Sequence, residues 1–108
     1  LAGGHDMIDW TGYESLHETG WQRQRHLWGN PFYYIEYGIA QLGALQLWAK
    51  YREDPREAIA AYKRALALGG SRPLPELFAA AGIRFEFSAT TLAPLMKLVQ
   101  EELERLPE

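Results

Sequence analysis

Between Pro31 and Tyr51 the chain reads PFYYIEYGIAQLGALQLWAKY, a stretch with almost no polar face. Pro31 suits a first helical position because its missing amide proton would lack a partner there, so the spacing predicts one helix over about 31–51. Apart from the tyrosine hydroxyls, the polar residues in its interior are Glu36, Gln41 and Gln46. A helix that is apolar all round has to be buried, and a chain of 108 residues has little material to surround one. The sequence therefore predicts an exposed apolar patch unless other protein covers it, and self-association into a homo-oligomer through this helix is one expected way of hiding it. Gly38 and Gly43 interrupt the run, as expected where another backbone approaches closely.

The remaining elements follow from local signals. Residues 1–9 lack helical period. Thr11 and Glu14 form a capping-box pair, which predicts a helix from about Gly12 to Trp28, weakened by Gly20. Asp54 and Pro55 open a third helix that stops at Gly69 and Gly70, and a short helix over about Pro75–Ala81 ends at Gly82. Ile83, Phe85 and Phe87 alternate with Arg84 and Glu86, but a lone strand has no partner, so this is an extended connector. Ser88 or Thr91 caps a last helix to about Leu106, with Pro94 near its first turns. The expected fold is all-α, a compact bundle of about four to five helices.

Composition removes several function classes. Eleven basic and fourteen acidic residues give a net charge of −3, which lacks the footprint of a nucleic-acid binder. There is no cysteine, hence no disulfide and no thiolate chemistry, and the cytoplasm is the expected compartment. No apolar stretch approaches the roughly 20 residues that cross a membrane, so no membrane partner is expected. The chain begins with Leu1 and shows no secretory signal, and reads as part of something longer.

The candidate chemistry lies in WQRQRHLWGNPFYYIEYGIAQLGALQLWA, residues 21–49, which hold half of the aromatic side chains. At helical spacing Tyr33 and Tyr37 are separated by about 40° and Tyr34 and Tyr37 by about 60°, so one face presents at least two phenols. Such phenols either pack as amphipathic core residues or, with His26, converge on an oxyanion. HETGW at residues 17–21 mimics a zinc-binding helix, but Trp21 occupies the second ligand position, and His5, His17 and His26 are too irregularly spaced for another metal set. Arg23, Arg25, Arg72 and Arg84 are candidate partners for a peptide carboxylate, although most surface arginines do nothing of the kind. The acidic residues between Glu101 and Glu108 form a solvated helix face.

The run HLWGNPFYYIEYGIAQLGALQLW, the helix to Leu68, GGSRPLPELFAAAGIRF and the terminal helix resemble, in order and over about residues 7–106, the C-terminal part of oligoendopeptidase F-like zinc metallopeptidases, relatives of thimet oligopeptidase. The resemblance implies that residues 1–108 form a C-terminal helical subdomain of a peptidase catalytic domain. It implies zinc in the full-length enzyme, held upstream by H-E-x-x-H and a later glutamate, with no metal ligand and no activity in these residues alone. Its partners are then the remainder of the peptidase chain and short peptide substrates. On this likeness His26, Tyr34 and Tyr37 take catalytic roles, while His26 and Tyr33 contact substrate; whether Tyr33 or Tyr34 is the second oxyanion donor stays open. The alternative is a tetratricopeptide-like interaction module, because Ala58, Tyr62 and Ala65 fit the second helix of such a repeat. Against it, arrays need about three copies of a 34-residue unit, no second copy is present, and Gln46 and Ala49 stand where glycine and tyrosine are wanted.

Overall fold

The computed structural model describes residues 8–107, and all regular structure among them is helical. Six α-helices follow one another: α1 (Glu14–Glu18), α2 (Arg25–Gly29), α3 (Ile35–Glu53), α4 (Pro55–Ala67), α5 (Leu74–Ala80) and α6 (Ala89–Leu103), with a 3₁₀ turn, Gly20–Arg23, between α1 and α2. The fold class is all-α, as expected. The chain divides into two compact units, one up to Glu36 and one from Tyr37 onward. No helix among the described residues is long and apolar enough to cross a membrane.

In the first unit, the helix expected over 12–28 is broken into three pieces. The Thr19 hydroxyl donates to the Ser15 carbonyl at 2.7 Å, Gly20 follows, and Gln24 takes an extended backbone with ψ 91°. The first two weaken helix propagation, Thr19 by competing for a backbone carbonyl and Gly20 by its conformational freedom, and the extended Gln24 is where the chain breaks before α2. The expected capping box does not form, because α1 begins only at Glu14, with Tyr13 in the N-cap position and no side-chain capping bond, and the Thr11 N–H is taken by Asp9 Oδ1. Glu14 does reach back and accepts from the Gly12 N–H at 2.9 Å, which holds its carboxyl below the usual value, but the Thr11 hydroxyl donates to Asp9 Oδ1 at 2.6 Å instead of accepting from the helix. No side chain described in this unit is buried.

The second unit is better tied. Its helix α3 starts at Ile35 rather than Pro31, because Asn30–Tyr33 forms a turn, and it runs on to Glu53. Leu42, Ala58, Ala61 and Ala81 make up the buried apolar set of the described residues, and none of these has a large side chain that is fully buried. Gly43 is buried on α3, where an added Cβ would lie 3.1 Å from Phe78 Cζ. The glycine therefore admits an aromatic ring, not a second backbone, and Gly38 faces open space. Phe78 continues into an edge-on series, 5.2 Å to Phe85 and 5.1 Å from Phe85 to Phe87.

The alternating segment at 83–87 is an irregular connector, as expected, and its pairing need is met by a side chain. Gln46, 9% exposed, donates from Nε2 to the Arg84 carbonyl at 2.9 Å and accepts from the Arg84 N–H at Oε1 at 2.8 Å. One amide thus supplies both bonds that a neighbouring strand would give. Helix α4 begins as its sequence dictates, with Asp54 accepting from the N–H groups of Arg56 and Glu57 and Pro55 in the first turn. Helix α5 ends in a Schellman motif. Ile83 N–H donates to Phe78 O and Gly82 N–H to Ala79 O, both at 2.9 Å, with Gly82 at φ +69°, the left-handed geometry that glycine permits. Lys50 Nζ donates to the Gly82 carbonyl at 3.1 Å.

Helix α6 stops at Leu103, short of the expected Leu106, and carries Pro94 inside it. Ser88 precedes it without a capping bond; its hydroxyl and that of Thr91 donate instead to the two oxygens of Glu86, at 2.6 and 2.9 Å. Arg52 pairs with Glu102 at 2.8 Å and lies 5.3 Å over the Trp48 ring, linking α3 to α6. The apolar surface predicted for α3 takes the form of a groove of about 350 Å³, lined among others by Gly43, Leu47, Tyr62, Leu66, Leu77 and Phe78.

Candidate functional site

Helix α2 carries His26, and a run of backbone bonds leads from it to the tyrosines. Asn30 N–H donates to His26 O at 3.2 Å, Tyr33 N–H to Asn30 O at 3.1 Å and Glu36 N–H to Tyr33 O at 3.0 Å. The result places the half-buried His26 ring 6.4 Å from Tyr33, nearly parallel at 19°, and 6.1 Å from Tyr34, tilted at 44°. Tyr33 and Tyr34 precede the first residue of α3, so the turn, and not a helical face shared with Tyr37, brings them to His26. Tyr37 belongs to the second unit and is 47% exposed.

The first unit holds two further ring pairs. Trp21 stacks on Trp28 at 5.8 Å, the Trp28 indole donates to Gln22 O at 3.2 Å, and Trp10 stacks on His17 at 4.9 Å. A cleft of about 570 Å³ is lined by Trp10, His17, Trp21, Arg23, Leu27 and Tyr34, among others. Tyr34 therefore touches His26 on one side and borders a ligand-sized space. Among the described residues that line it are the Arg23 guanidinium, the Trp10 and Trp21 indoles and the Tyr34 phenol, hydrogen-bond donors suited to carbonyl or carboxylate oxygens.

This arrangement sits within a segment with a defined relationship. The sequence model of peptidase family M3 matches residues 8–96, which is most of the chain. The chain belongs to peptidase family M3. Comparison with curated proteins and with solved structures gave no match.

M3 peptidases are generally zinc-dependent. Among the described residues of this M3 chain, no group of three or more His, Asp or Glu side chains is placed to hold a metal ion, so these residues do not fit a zinc site. His17 of the HETGW segment is engaged in the stack with Trp10; His5 lies outside the described residues. Of the arginines, Arg23 borders the cleft, Arg25 opens α2, Arg72 lies 4.0 Å from Glu76, and Arg84 is held through its backbone by Gln46. Sequence reasoning did not find the strained turn at Phe32, where φ is +66°, or the Trp10–His17 stack. The signal for the first was an asparagine–proline pair, a turn initiator as much as a helix start.

Proposed function

We propose that this chain is the C-terminal part of a zinc-dependent oligoendopeptidase of the oligoendopeptidase F type, which hydrolyses short peptides, and that the metal ligands come from protein outside these residues. The observation that carries the proposal is the ring of His26 lying against Tyr33 and Tyr34 in a chain of family M3. Hydrolysis of a peptide bond builds negative charge on the carbonyl oxygen, and fixed phenol and imidazole donors aimed at that oxygen stabilise the charge as it develops. In this reading His26, Tyr34 and Tyr37 are the catalytic donors, and His26 with Tyr33 also contacts the substrate, the choice between Tyr33 and Tyr34 as second oxyanion donor being the one the test below decides. The first unit has no buried side chain of its own among the described residues, which supports a surface completed by the remainder of a peptidase.

The test is tyrosine-to-phenylalanine substitution in the full-length protein, with zinc content measured alongside turnover. Loss of one oxyanion donor costs about 2.7–4 kcal/mol of transition-state stabilisation, or roughly 10²–10³ in kcat. Tyr37→Phe is expected to lower kcat by that factor and leave zinc content unchanged. A normal kcat removes Tyr37 from the mechanism. Tyr34→Phe is expected to act on kcat and Tyr33→Phe on KM, a contrast that separates the two neighbours.

A further inference from the structure

The turn that delivers Tyr33 to His26 is strained one residue earlier. Tyr33 N–H closes it by donating to Asn30 O at 3.1 Å, Pro31 occupies its second position, and Phe32 in the third has φ +66°. This is the pattern of a type II turn, whose third position belongs to glycine or asparagine because a larger side chain is strained there. Among the described residues the Phe32 ring gains no packing that offsets the strain, since it is 97% exposed. A large apolar ring in a left-handed backbone with water around it is unfavourable on both counts. Strain of this kind is concentrated at ligand clamps and active sites, where a contact absent from the empty protein offsets it.

We propose that Phe32 is a substrate-contact residue whose ring packs on an apolar or aromatic side chain of the bound peptide. The proposal rests on the peptidase reading above. Phe32 adjoins Tyr33, and Tyr33 stacks on His26, so a peptide whose backbone is held by that pair runs past the exposed ring. From Pro31 to Ile35 the segment carries no charged side chain, and its complement is accordingly apolar.

The test uses the full-length protein and two quenched fluorogenic peptides, identical except for phenylalanine or alanine on both sides of the scissile bond. Phe32→Gly removes the ring and the backbone strain together. Expected are a KM for the phenylalanine peptide raised by roughly tenfold, as for loss of a partly buried aromatic contact, a clearly smaller rise for the alanine peptide, so that the ratio of the two KM values changes, and an unchanged or raised Tm. Phe32→Leu is expected to restore most of the KM. An unchanged KM ratio between the two peptides in Phe32→Gly overturns the proposal. So does a fall in Tm with both KM values unchanged, since the ring then packs on protein and not on substrate. If the unsubstituted protein cleaves neither peptide, the peptidase reading fails and this proposal with it; an active protein indifferent to Phe32→Gly overturns the Phe32 proposal alone.

Discussion

Replacing Gln46 by leucine isolates one structural device. The leucine keeps most of the side-chain volume and is a better helix former, so packing and propensity alone predict a neutral or stabilising change. The structure predicts the opposite. Both Arg84 backbone groups take their bonds from this one amide, at 2.9 and 2.8 Å, and the substitution leaves an N–H and a C=O facing a methyl group. An orphaned buried group costs about 1–3 kcal/mol. Arg84 is exposed on its other side, so water partly replaces the bonds, and a loss of about 2–3 kcal/mol in total is expected. At about 4–8 °C per kcal/mol for a domain of this size, Tm falls by roughly 10–20 °C. The assay is urea unfolding followed by helical circular dichroism, with Gln46→Glu as the companion. A glutamate can serve both Arg84 groups only while protonated, which raises its folded pKa above the unfolded value. Its contribution is therefore present at low pH and lost as pH rises through the folded pKa, and the gap to the unsubstituted protein narrows on acidification. Equal stability of Gln46→Leu and the unsubstituted protein, or a pH-independent gap for Gln46→Glu, refutes the reasoning.

Asp54→Ala removes the acceptor for the N–H groups of Arg56 and Glu57 and is expected to cost about 1 kcal/mol, read as a lower midpoint in urea. Gly82→Ala forces alanine to φ +69° with its Cβ against Lys50 Nζ. Because the lysine can swing away, the backbone term dominates at about 1–2 kcal/mol, whereas Gly38→Ala, which meets nothing within 4 Å, should stabilise by up to about 1 kcal/mol; thermal melts of the pair check the opposite signs. The Glu86 carboxyl is held below its usual value first by the Ser88 hydroxyl and then by that of Thr91. Its folded pKa is depressed, so its contribution is present above the ordinary glutamate range and lost as pH falls through the lowered value, and Glu86→Gln should flatten that part of the stability profile measured by urea titration against pH.

Where the determinants are local, the sequence was sufficient. Asp54 followed by proline fixes the start of α4 within two residues, and Gly82 fixes the end of α5, because the bonds involved span only a few positions. Pro31 was ambiguous for a physical reason: the first turn of a helix and the second position of a type II turn demand the same φ near −65°, so the residue cannot tell them apart. The structure has the turn, with Phe32 in the left-handed region that its side chain disfavours, so neither Pro31 nor Phe32 alone signals it. Gln46 stood out as a polar residue in an apolar helix, yet its partner lies 38 positions away and no periodicity points to it. The nearness of His26 to Tyr33 and Tyr34 arises from the turn at Asn30–Tyr33, and helical spacing, which groups the tyrosines with Tyr37 on one face, carries no sign of it.

The two units hold themselves together by different means. In the second, Gln46 to Arg84, Lys50 to Gly82 and Arg52 to Glu102 join residues far apart in sequence around a small alanine-rich core. In the first, the helical pieces have five, four and five residues, well short of the roughly 12–15 at which an isolated helix persists, and the bonds described there are short-range. Ring stacking and a backbone ladder are among the contacts that hold His26 against Tyr33 and Tyr34. Binding segments are commonly drawn from the least stable part of a fold, and on the peptidase reading His26, Tyr33 and Tyr34 follow that pattern, since they lie in the first unit, whereas Tyr37 belongs to the second. Any peptide or covering protein that engages them must then supply part of the free energy that orders the segment. Opening the separate Trp21–Trp28 stack of the same unit by substitution at either ring should consequently raise KM in the full-length protein, by lowering the population of the competent arrangement.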